Sequence, residues 1–407
     1  MNTPERPTTG PRLAIVLSHA TQYYSPWFRW LRENTGLCFK VFYLSSFGML
    51  AARDEKFDQT FAWDIDLTTG YDWENVPNIA AEPNTLHFNG LNNPDLPARL
   101  RAWRTDAVLL FGYNYNTHLK LIAWARLHRL PLIFRGDSHL LGRDHVAFIK
   151  RLLLALLYRQ FASIAYVGEA NRYYFCRLGV PDKKLFFAPH AVNAAHFFFE
   201  KQEHRERAAS LRAKLGLPSS TRTVLFSGKL IASKQPLALL ESFIQLELPD
   251  TALIFAGDGE EKTILQARAA ARRDIRVHFL PFANQSEMPA RYLLADLFVL
   301  PSYSHHESWG LAVNEAMHMG VPCLVSDLVG CQRDLVTDGE TGWVFKTSKQ
   351  GQLRIKLNEA LASLQRDRHA LRPAILQRIA NYGYEQAATG LLAAVKHATG
   401  RDPGQPS

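Results

Sequence analysis

The chain contains, between residues 301 and 317, the segment Pro301-Ser302-Tyr303-Ser304-His305-His306-Glu307-Ser308-Trp309-Gly310-Leu311-Ala312-Val313-Asn314-Glu315-Ala316-Met317. Its pattern predicts the end of a buried strand, a polar loop, and a glycine that opens a helix. Two carboxylates, Glu307 and Glu315, lie in it with seven residues between them. Backbone amides at the start of a helix and a nearby carboxylate can together surround a phosphorylated sugar. This segment is therefore the first candidate for a site of chemistry.

The spacing of the two carboxylates has little meaning without its setting, because short motifs recur by chance. Glu74 and Glu82 have the same spacing, but Pro77 interrupts that stretch and no strand-loop-helix pattern surrounds it. We interpret the pair at Glu74 and Glu82 as the chance occurrence. The functional interpretation of Glu307 and Glu315 is supported by the strand-loop-helix pattern around them and not by their spacing.

Apolar runs of strand length alternate with longer segments of helical period along almost the whole chain, which predicts parallel sheets covered by helices on both faces. Because 407 residues exceed what one core supports, and because the pattern occurs twice, we predict an α/β fold of two doubly wound domains. Ligands bind at the carboxyl ends of such strands, which here face a central cleft. The predicted strands are Arg12–Ser18, Phe39–Leu44, Asp106–Phe111, Pro131–Arg135, Ser163–Val167, Lys184–Ala188, Arg222–Ser227, Thr251–Ala256, Ile275–Leu280, Leu297–Leu300, Pro322–Ser326 and Trp343–Phe345.

The charged, helix-prone segment 200–215 separates the two series of strands. We therefore place the first domain at residues 1–198 and the second at residues 199–380. Residues 381–407 comprise a C-terminal helix, for which packing back on the first domain is one alternative, and a frayed tail.

The composition is that of a soluble globular protein, with 47% apolar and 21% charged residues. The longest apolar run, Leu152–Tyr158, is far shorter than the ~20 residues that span a bilayer, and the first ten residues lack the apolar core of a signal peptide. We therefore expect a cytoplasmic protein. The net charge of +9 admits anionic partners, but no zinc-finger, RNA-recognition or basic-zipper pattern is present, so nucleic acid is not an expected partner.

The positive charge is concentrated in one region of the first domain. Residues 99–151 contain 10 Lys/Arg and 3 Asp/Glu. A solvated basic face is the ordinary interpretation of such a run. The alternative is a surface that contacts anionic lipid headgroups, with the segment 151–159 as an interfacial anchor. In that case the protein would be peripheral to the inner face of the cell membrane, contacting it through residues 99–159.

Two loops of the second domain have residues suited to a diphosphate. The strand 222–227 ends in Gly228 and Lys229, with Lys234 five residues further on. A glycine allows close backbone approach, and each lysine supplies a point charge. The next strand runs into the turn Gly257-Asp258-Gly259, where a nucleotide could lie and where Asp258 could equally be a simple helix cap.

The helix that begins after Gly310 presents the free amides of Gly310, Leu311 and Ala312, which together with the helix dipole form an anion site. Glu315 lies about one turn further in, between apolar neighbours. A carboxylate there could accept hydrogen bonds from two ribose hydroxyls, whereas an exposed helix glutamate is the ordinary alternative.

Polar loops also follow two strands of the first domain. One contains His19, Thr21, Gln22 and Tyr23, and the other is the segment 135–139, with Asp137 and His139. A lone His or Asp in a loop is usually solvated. The position of these residues at strand ends favours the alternative, in which they face the ligand held by the second domain.

Taken together, the motifs resemble the retaining glycosyltransferases of family 4, which have the GT-B fold of two Rossmann-like domains. The resemblance is strong over about residues 160–400 and weaker in the first half, where it involves residues 19–29. The ordered motifs are Phe226-Ser227-Gly228-Lys229 with Lys234, Ala256-Gly257-Asp258-Gly259, the segments 282–289 and 295–302, Glu307 to Met317, Gly320-Val321-Pro322 and Asp338-Gly339-Glu340-Thr341-Gly342.

The resemblance implies a role for each matched residue. Lys229 and Lys234 would hold the donor diphosphate, Glu315 the ribose, and the segment Pro281, Phe282 and Ala283 the base. Glu307 would lie beside the transferred sugar, with the amides of Ser308, Trp309, Gly310 and Leu311 nearby. The catalytic candidates are Glu307, Lys234, Lys229, Asp137 and His139, and the acceptor-side candidates are His19, Thr21, Gln22 and Tyr23.

Some features depart from the family pattern. Lys229 stands where many members have arginine, which favours monodentate contact with the diphosphate. At the end of the strand 131–134, where many members have a histidine, this chain has Arg135-Gly136-Asp137. Asp137 or His139 would then replace that histidine. No metal and no cofactor are expected, and we interpret Asp64-Ile65-Asp66 as a strand edge rather than a metal site.

The predicted function is transfer of a hexosyl or related sugar, with retention of configuration, from a nucleotide-diphosphate sugar to a hydroxyl. The expected acceptor is a glycan or lipid-linked saccharide of a bacterial-type envelope pathway. The alternatives are a sugar-nucleotide epimerase or a phosphorylase of GT-B fold, and a catalytically silent scaffold.

Overall fold

Two parallel β-sheets, one in each half of the chain, organise the computed structural model, which describes residues 10–49, 52–54, 59–61, 63–143, 146–272, 274–304 and 307–404. Short 3-10 turns lie at residues 88–90, 182–184, 232–234, 285–287 and 380–382. The first half contains β1 Arg12–Leu17, α1 Tyr24–Asn34, β2 Cys38–Tyr43, β3 Ala52–Asp54, β4 Gln59–Phe61, β5 Trp73–Asn75, α2 Leu96–Ala102, β6 Ala107–Phe111, α3 Asn116–Leu127, β7 Leu132–Arg135, α4 Phe148–Tyr158, β8 Ser163–Tyr166, α5 Glu169–Arg177 and β9 Leu185–Phe187.

The second half begins after β9 with the helix that precedes its sheet. Its elements are α6 Gln202–Lys214, β10 Arg222–Ser227, α7 Pro236–Leu246, β11 Thr251–Ala256, α8 Lys262–Ala270, β12 Arg276–Leu280, α9 Met288–Leu293, β13 Leu297–Leu300, α10 Leu311–His318, β14 Cys323–Ser326, α11 Gln332–Leu335, β15 Gly342–Phe345, α12 Gln352–Arg366, α13 Arg372–Ile379 and α14 Tyr384–Thr399.

The first sheet has seven strands in the order β5-β2-β1-β6-β7-β8-β9, and the second has six in the order β12-β11-β10-β13-β14-β15. In each sheet the strand order reverses beside the first strand, since β1 lies between β2 and β6, and β10 lies between β11 and β13. Such reversal points leave a crevice at the carboxyl ends of the strands. The two-domain α/β prediction is therefore confirmed.

All twelve predicted strands are present, with ends that differ by a residue or two. They are detectable because strands covered on both faces are continuously apolar; each residue from Thr251 to Ala256, for example, is buried. The strands β3, β4 and β5 have three residues each. They lie in residues 51–97, a region rich in Asn, Pro and Asp for which the hydrophobic pattern predicted no strand. Of these, β5 adds an edge to the first sheet, and β3 pairs with β4 as a separate antiparallel ribbon.

The C-terminal helix α14 packs on the first domain, although it follows the second in sequence. Its Leu391 and Val395 join the buried cluster that contains Leu13 and Ile15 of β1. A Cβ atom at Gly390 would lie 1.8 Å from the carbonyl oxygen of Phe187, so only glycine allows this approach of helix to strand. The last helix therefore belongs to the core of the first domain.

Among the residues that the structure describes, no helix is both long enough and apolar enough to cross a membrane.

Candidate active site

A cleft of about 650 Å³ lies between the two domains, at the carboxyl ends of both sheets. The first domain contributes only a few residues from four separate segments, whereas the second contributes most of the wall. The lining residues are Gln22, Tyr23, Tyr24, Trp63, Asp137, His190, Ser227, Gly228, Lys229, Lys234, Ala256, Gly257, Asp258, Phe282, Ala283, Gln285, Met288, Tyr292, Leu300, Glu307, Ser308, Trp309, Gly310, Leu311, Ala312 and Glu315.

Glycines allow the loops after β10 and β11 to touch. Gly257 has a φ of 144°, and a Cβ atom there would lie 2.0 Å from the carbonyl oxygen of Gly228. Gly259 is equally confined, with 2.4 Å between its ideal Cβ and the carbonyl oxygen of Leu230. The Asp258 side chain accepts hydrogen bonds from the Gly259 amide at 2.9 Å and from Lys262 Nζ at 2.8 Å. These two bonds stabilise the turn at Asp258, which lines the cleft, whereas the N-cap of α8 is Glu261.

Lys234 and Glu307 form an ion pair in the floor of the cleft. The same carboxylate oxygen, Glu307 Oε2, accepts a hydrogen bond from Ser302 Oγ at 2.8 Å, and the Glu307 side chain is only 12% exposed. A carboxylate held by a cation and a hydroxyl has a defined orientation. Lys229 lines the cleft from the same loop as Lys234. The two lysines predicted to bind a diphosphate therefore share one wall.

Gly310 turns the chain from this loop into α10 with a φ of 95°. A Cβ atom at Gly310 would lie 2.9 Å from Val329 Cγ1, so the position is restricted by both conformation and space. The loop is also tied to its neighbour, since the amides of Gly330 and Cys331 donate to the carbonyl oxygens of Glu307 and Trp309 at 3.1 Å and 2.9 Å. The N-terminus of α10 is thereby held facing the cleft, where its amides can meet an anion.

Glu315 is almost fully buried on the cleft-facing side of α10. Burial raises the pKa of Glu315 to about 7, and hydrogen bonds from Tyr292, Gln285 and Tyr23 offset only part of that effect. The hydroxyl of Tyr292 donates to Glu315 Oε2 at 2.7 Å. A carboxyl group that titrates near neutrality in a cleft is typical of a functional site. The structure thus places Glu315 in the cleft rather than on an exposed helix face.

Asp137 contributes a carboxylate from the first domain. Ser308 Oγ donates to Asp137 Oδ2 at 2.6 Å across the cleft, and His190 Nε2 lies 3.5 Å from the same oxygen. Burial opposes the charge of Asp137, but the hydrogen bonds from His190 and Ser308 outweigh it and lower the pKa of Asp137 to about 2. Burial lowers the pKa of His190, and Asp137 offsets this only in part. The structure therefore brings an ionised carboxylate and a neutral imidazole to the first domain's side.

Trp309 joins the two domains behind the cleft. Its Nε1 donates to Asn314 Oδ1 at 2.8 Å, and Asn314 Nδ2 donates to the carbonyl oxygen of His190 at 3.2 Å. A Cβ atom at Gly168 would lie 2.4 Å from the Trp309 ring. The indole therefore fills the junction and is almost completely buried.

Four predicted site residues lie outside the cleft lining. His19 is bonded to Ser18 Oγ at 2.9 Å, and burial lowers the pKa of its imidazole to about 4. Thr21 accepts from the Tyr24 amide at 3.2 Å at the start of α1. His139 accepts from the Leu141 amide at 3.1 Å, with its Nε2 3.4 Å from the carbonyl oxygen of Glu307. The carbonyl oxygen of Pro281 accepts from Arg291.

The other predicted residues all line the cleft: Gln22, Tyr23, Asp137, Gly228, Lys229, Lys234, Gly257, Asp258, Phe282, Ala283, Glu307, Ser308, Trp309, Gly310, Leu311 and Glu315. Between the two candidates for the acceptor side, Asp137 reaches the cleft and His139 does not. The imidazole in the cleft comes instead from His190, which follows β9. The position of His190 after a strand could have revealed it, but its neighbour Pro189 and the short strand made that signal weak.

The prediction of a strand edge at Asp64-Ile65-Asp66 is wrong, because none of the three residues lies in a strand and Asp64 and Ile65 form a bend. Asp64 reaches the other domain and accepts hydrogen bonds from the amide and hydroxyl of Ser286. Asp66 accepts from the Thr68 and Thr69 amides at 2.9 Å and 3.2 Å. Across the described ranges, no group of three or more His, Cys, Asp or Glu side chains is arranged to hold a metal ion.

Tyr24, Tyr292 and Gln285 are cleft residues that sequence reasoning missed. Tyr24 lies with its hydroxyl 3.5 Å from His190 Nδ1, and Tyr292 bonds Glu315. Tyrosines and glutamines at such positions look like ordinary amphipathic helix residues, so only the juxtaposition of separate segments reveals them.

Fold and cleft together define a two-domain α/β protein of GT-B architecture, with the cleft between its two domains. Solved structures of the same architecture include the Anabaena protein HepE in complex with UDP and glucose, with a TM-score of 0.68 and 15% identity over 94% of this chain and 98% of that chain. Another is WaaG, a glycosyltransferase involved in lipopolysaccharide biosynthesis, with a TM-score of 0.60 and 16% identity over 95% of this chain and 100% of that chain. At these identities the likeness shows the fold.

Sequence comparison identifies the family. The sequence model of the Glycosyl transferases group 1 family matches residues 208–378. D-inositol 3-phosphate glycosyltransferase of Mycobacterium tuberculosis is 30% identical over 356 residues, which cover 80% of this chain and 70% of that protein. The chain belongs to the group 1 glycosyl transferases and is a glycosyltransferase of GT-B fold.

Proposed function

We propose that this chain is a retaining enzyme of family 4, which transfers a hexosyl or related sugar from a nucleoside diphosphate donor to a hydroxyl group. The acceptor is a glycan or lipid-linked saccharide of a bacterial-type envelope pathway. The observation that carries the proposal is the single wall on which Lys229, Lys234, Glu307, Glu315 and the N-terminus of α10 meet.

The second domain holds the donor in this proposal. Lys229 and Lys234 bind the diphosphate together with the amides at the start of α10, because both provide positive charge at close range. Glu315 accepts hydrogen bonds from the ribose hydroxyls, and Phe282 and Ala283 contact the base. HepE, which shares the fold, is described in complex with UDP and with UDP and glucose. That description supports a uridine or related diphosphate as donor.

The chemistry follows from the charge that develops during transfer. The bond between the anomeric carbon and the diphosphate oxygen breaks, and its electron pair leaves with the diphosphate. Lys229, Lys234 and the α10 amides stabilise that growing negative charge. The acceptor oxygen then forms its bond to the anomeric carbon from the face that the diphosphate leaves, and the hydroxyl proton passes to the departing phosphate oxygen. Glu307, oriented by Ser302 and Lys234, positions the sugar.

The same arrangement supports transfer without a metal ion or cofactor. In metal-dependent transferases a divalent cation neutralises the leaving diphosphate, whereas here two lysines and a helix N-terminus supply positive charge. We expect the rate to be unchanged by EDTA. A loss of activity on chelation, restored by added Mg²⁺ or Mn²⁺, would contradict this part of the proposal.

The first domain meets the acceptor through Asp137, His190, Tyr23 and Tyr24. Asp137 remains ionised near neutrality and orients the acceptor by accepting a hydrogen bond from a hydroxyl beside the attacking one, whose own proton stays directed at the departing phosphate. A cytoplasmic enzyme that contacts the anionic inner face of the membrane through residues 99–159 would meet a lipid-linked acceptor there. The description of WaaG as an enzyme of lipopolysaccharide biosynthesis supports an envelope role.

The first test is a thermal-shift titration of the purified protein with UDP, GDP, ADP and CMP. A ligand at 100 times its dissociation constant adds about 2.7 kcal/mol to the free energy of unfolding. We expect a shift with one diphosphate that is lost in Lys234→Ala and kept in Lys214→Ala, a matched change on the exposed face of α6. The proposed donor site is rejected if no nucleotide shifts the transition, or if both variants respond alike.

A second assay identifies the reaction by its products. The enzyme is supplied with the donor that the shift selects and with candidate saccharide acceptors, and the anomeric configuration of the product is read by NMR. A product whose configuration matches the donor supports retention. Inversion, nucleotide release without an acceptor-linked product, or a requirement for inorganic phosphate would each contradict the proposed reaction.

A further inference from the structure

A second cavity, of about 490 Å³, lies away from the cleft described above. Four of its ten lining residues are arginines: Arg143, Arg151, Arg177 and Arg333. None of the ten is acidic. The arginines come from the loop before α4, from α4 itself, from α5 and from α11 of the second domain. Like charges gathered from four segments repel one another, so such a cavity is suited to an anion.

The four arginines keep their guanidinium groups available. Within the described part of the chain, none of them forms a salt bridge with a carboxylate, and all four are exposed at the cavity wall. Guanidinium groups bind phosphate oxygens through paired hydrogen bonds in one plane. A phosphate monoester, which carries up to two negative charges, therefore suits the charge of this lining better than a carboxylate, which carries one.

The helix that carries Arg151 has an unusual exposed face. On α4, Phe148, Ile149, Leu152, Leu153 and Leu156 are between 45% and 79% exposed, while Leu154 and Tyr158 are the buried residues. The exposed residues lie at positions i, i+1, i+4, i+5 and i+8, which share one side of a helix. Large apolar patches of this kind mark contact with a partner or a membrane. With eleven residues, α4 can lie in a bilayer surface but cannot span it.

We propose that this arginine cavity binds the phosphate headgroup of an anionic membrane lipid, while the exposed face of α4 enters the same bilayer surface. The two features adjoin, because Arg143 lies in the loop before α4 and Arg151 lies on α4, next to the exposed Leu152. Apolar area and basic charge acting together are what interfacial helices need for stable binding. This inference rests on the membrane contact of the proposed function and identifies the residues and the lipid chemistry.

The cavity also communicates with the cleft through one loop. Leu140 and Leu141 line the cavity, and Asp137, three residues earlier, lines the cleft. Asn171 Nδ2 of α5 donates to the carbonyl oxygen of Ser138 in the same loop at 2.7 Å, which holds it in place. A lipid phosphate bound at Arg143 and Arg177 would therefore lie against the segment that carries the first domain's carboxylate, close to where an acceptor saccharide is expected.

The experiment is vesicle flotation with the full-length protein, using phosphatidylcholine vesicles with and without phosphatidic acid. We expect binding to the vesicles that contain phosphatidic acid. Removing two arginines in Arg143→Gln/Arg177→Gln should weaken that binding by about tenfold, since each basic residue near an anionic surface contributes several-fold. Leu152→Gln/Leu153→Gln should weaken it to a similar degree through lost apolar contact.

The matched control is Lys214→Gln/Arg366→Gln, which removes two charges from exposed positions on α6 and α12 of the second domain. It should bind vesicles like the wild-type protein. The proposal is overturned if the control and the cavity variant lose binding equally, because net charge alone would then explain it. It is also overturned if inorganic phosphate stabilises the wild-type protein but not the cavity variant, while vesicles bind neither, because the ligand would then be a soluble phosphate.

The thermal shift with a nucleoside diphosphate separates this inference from the donor site. Both vesicle-binding variants should keep the wild-type shift, because Arg143, Arg177, Leu152 and Leu153 lie outside the cleft. Loss of vesicle binding with an intact nucleotide shift supports the lipid site alone. Vesicle binding that depends on the arginines, in a protein without any nucleotide shift, would instead contradict the proposed donor site and leave the lipid site standing.

Discussion

The two walls of the cleft differ in the kind of group they present. The second domain contributes Lys229, Lys234, Glu307 and Glu315, all charged or titratable, from loops around β10, β13 and α10. The first domain contributes neutral polar and aromatic side chains with a single carboxylate, Asp137. A diphosphate requires fixed positive charge, whereas a sugar hydroxyl requires hydrogen bonds of defined direction. In the proposed reaction the charged wall of the second domain binds the donor and the more neutral wall of the first domain orients the acceptor, and the two are called the donor wall and the acceptor wall below.

The largest expected effect is on the donor wall. Lys234→Ala removes the cation that pairs with Glu307, so we expect turnover to fall by about a hundredfold, the scale of losing one charge donor in an active site. Steady-state kinetics with the donor selected by thermal shift measures it. Lys214→Ala, which removes an exposed basic residue from α6 of the same domain, serves as control. Turnover that stays within a fewfold of wild type would contradict the role of Lys234.

The next effect concerns pH and the buried carboxyl of the donor wall. The folded-state pKa of Glu315, about 7, lies above its ordinary value of 4.5. The stability that this group contributes is therefore complete below pH 4.5 and is lost as pH rises through about 7. Relative to Glu315→Gln, the free energy of unfolding of the wild-type protein should fall by about 2 kcal/mol between pH 5.5 and pH 7.5.

Chemical denaturation of both proteins at a series of pH values measures this difference. Asp334, whose pKa is raised to about 6 by burial, titrates in both proteins, so its contribution cancels. A difference that does not change across this range would mean that Glu315 is ionised throughout. The donor wall would then carry a full negative charge at Glu315 beside its lysines. Its net positive charge would be smaller than the comparison of the two walls assumes.

A smaller effect is expected on the acceptor wall. Asp137→Asn keeps the side-chain shape but removes the charge that accepts from Ser308 and His190, so we expect turnover to fall by about tenfold while the nucleotide thermal shift remains. Asp64→Asn is the matched control, because Asp64 also bonds a serine of the other domain but lies outside the cleft lining.

Two results would decide what Asp137 does. Equal losses in Asp137→Asn and Asp64→Asn would assign the effect to contact between the domains rather than to the acceptor. Loss of the nucleotide thermal shift in Asp137→Asn would mean that this carboxylate contributes to donor binding. It would contradict the division of the cleft into a donor wall and an acceptor wall.

The smallest effect is predicted for His139→Gln. The imidazole bonds the Leu141 amide and faces a backbone carbonyl, so its loss should change turnover by less than about threefold, the size of one neutral hydrogen bond. His190→Gln is the comparison variant, because His190 lines the cleft and should cost more. A larger loss in His139→Gln than in His190→Gln, in the same kinetic assay, would return the acceptor-side role to His139.

The residues that line the second domain's side of the cleft were largely predictable from the sequence. Gly228, Lys229, Lys234, Gly257 and Gly310 were selected by their positions at strand ends and at a helix start, and all five line the cleft. Their binding of a phosphate stays a prediction. The α/β fold was predictable for a related reason, since strands buried on both faces are continuously apolar. The short strands β3, β4 and β5 were not predicted, because three residues are too few to show the alternation of apolar and polar residues that is typical of a strand.

The acceptor wall was not predictable to the same degree. The loop after β1 pointed to His19 and Thr21, yet both serve local hydrogen bonds, and Gln22 and Tyr23 reach the cleft instead. Side-chain direction in a loop depends on backbone turns that residue type does not reveal. The exposed apolar face of α4 was anticipated only in part, as the alternative of an interfacial anchor at residues 151–159. Phe148 and Ile149 extend it, and only the structure shows that these side chains lie outside the core.

The sequence by itself determined the two sheets and pointed to the glycine loops after β10 and β11 and to the carboxylates Glu307 and Glu315, because each depends on residues close together in the chain. Only the tertiary structure decided that Asp137 and His190, fifty-three residues apart in sequence, form one polar pair. It alone decided that α14 completes the first domain and that four arginines surround one cavity. Local structure depends on residues that are close together in the sequence, whereas contacts between distant segments depend on how the two domains pack.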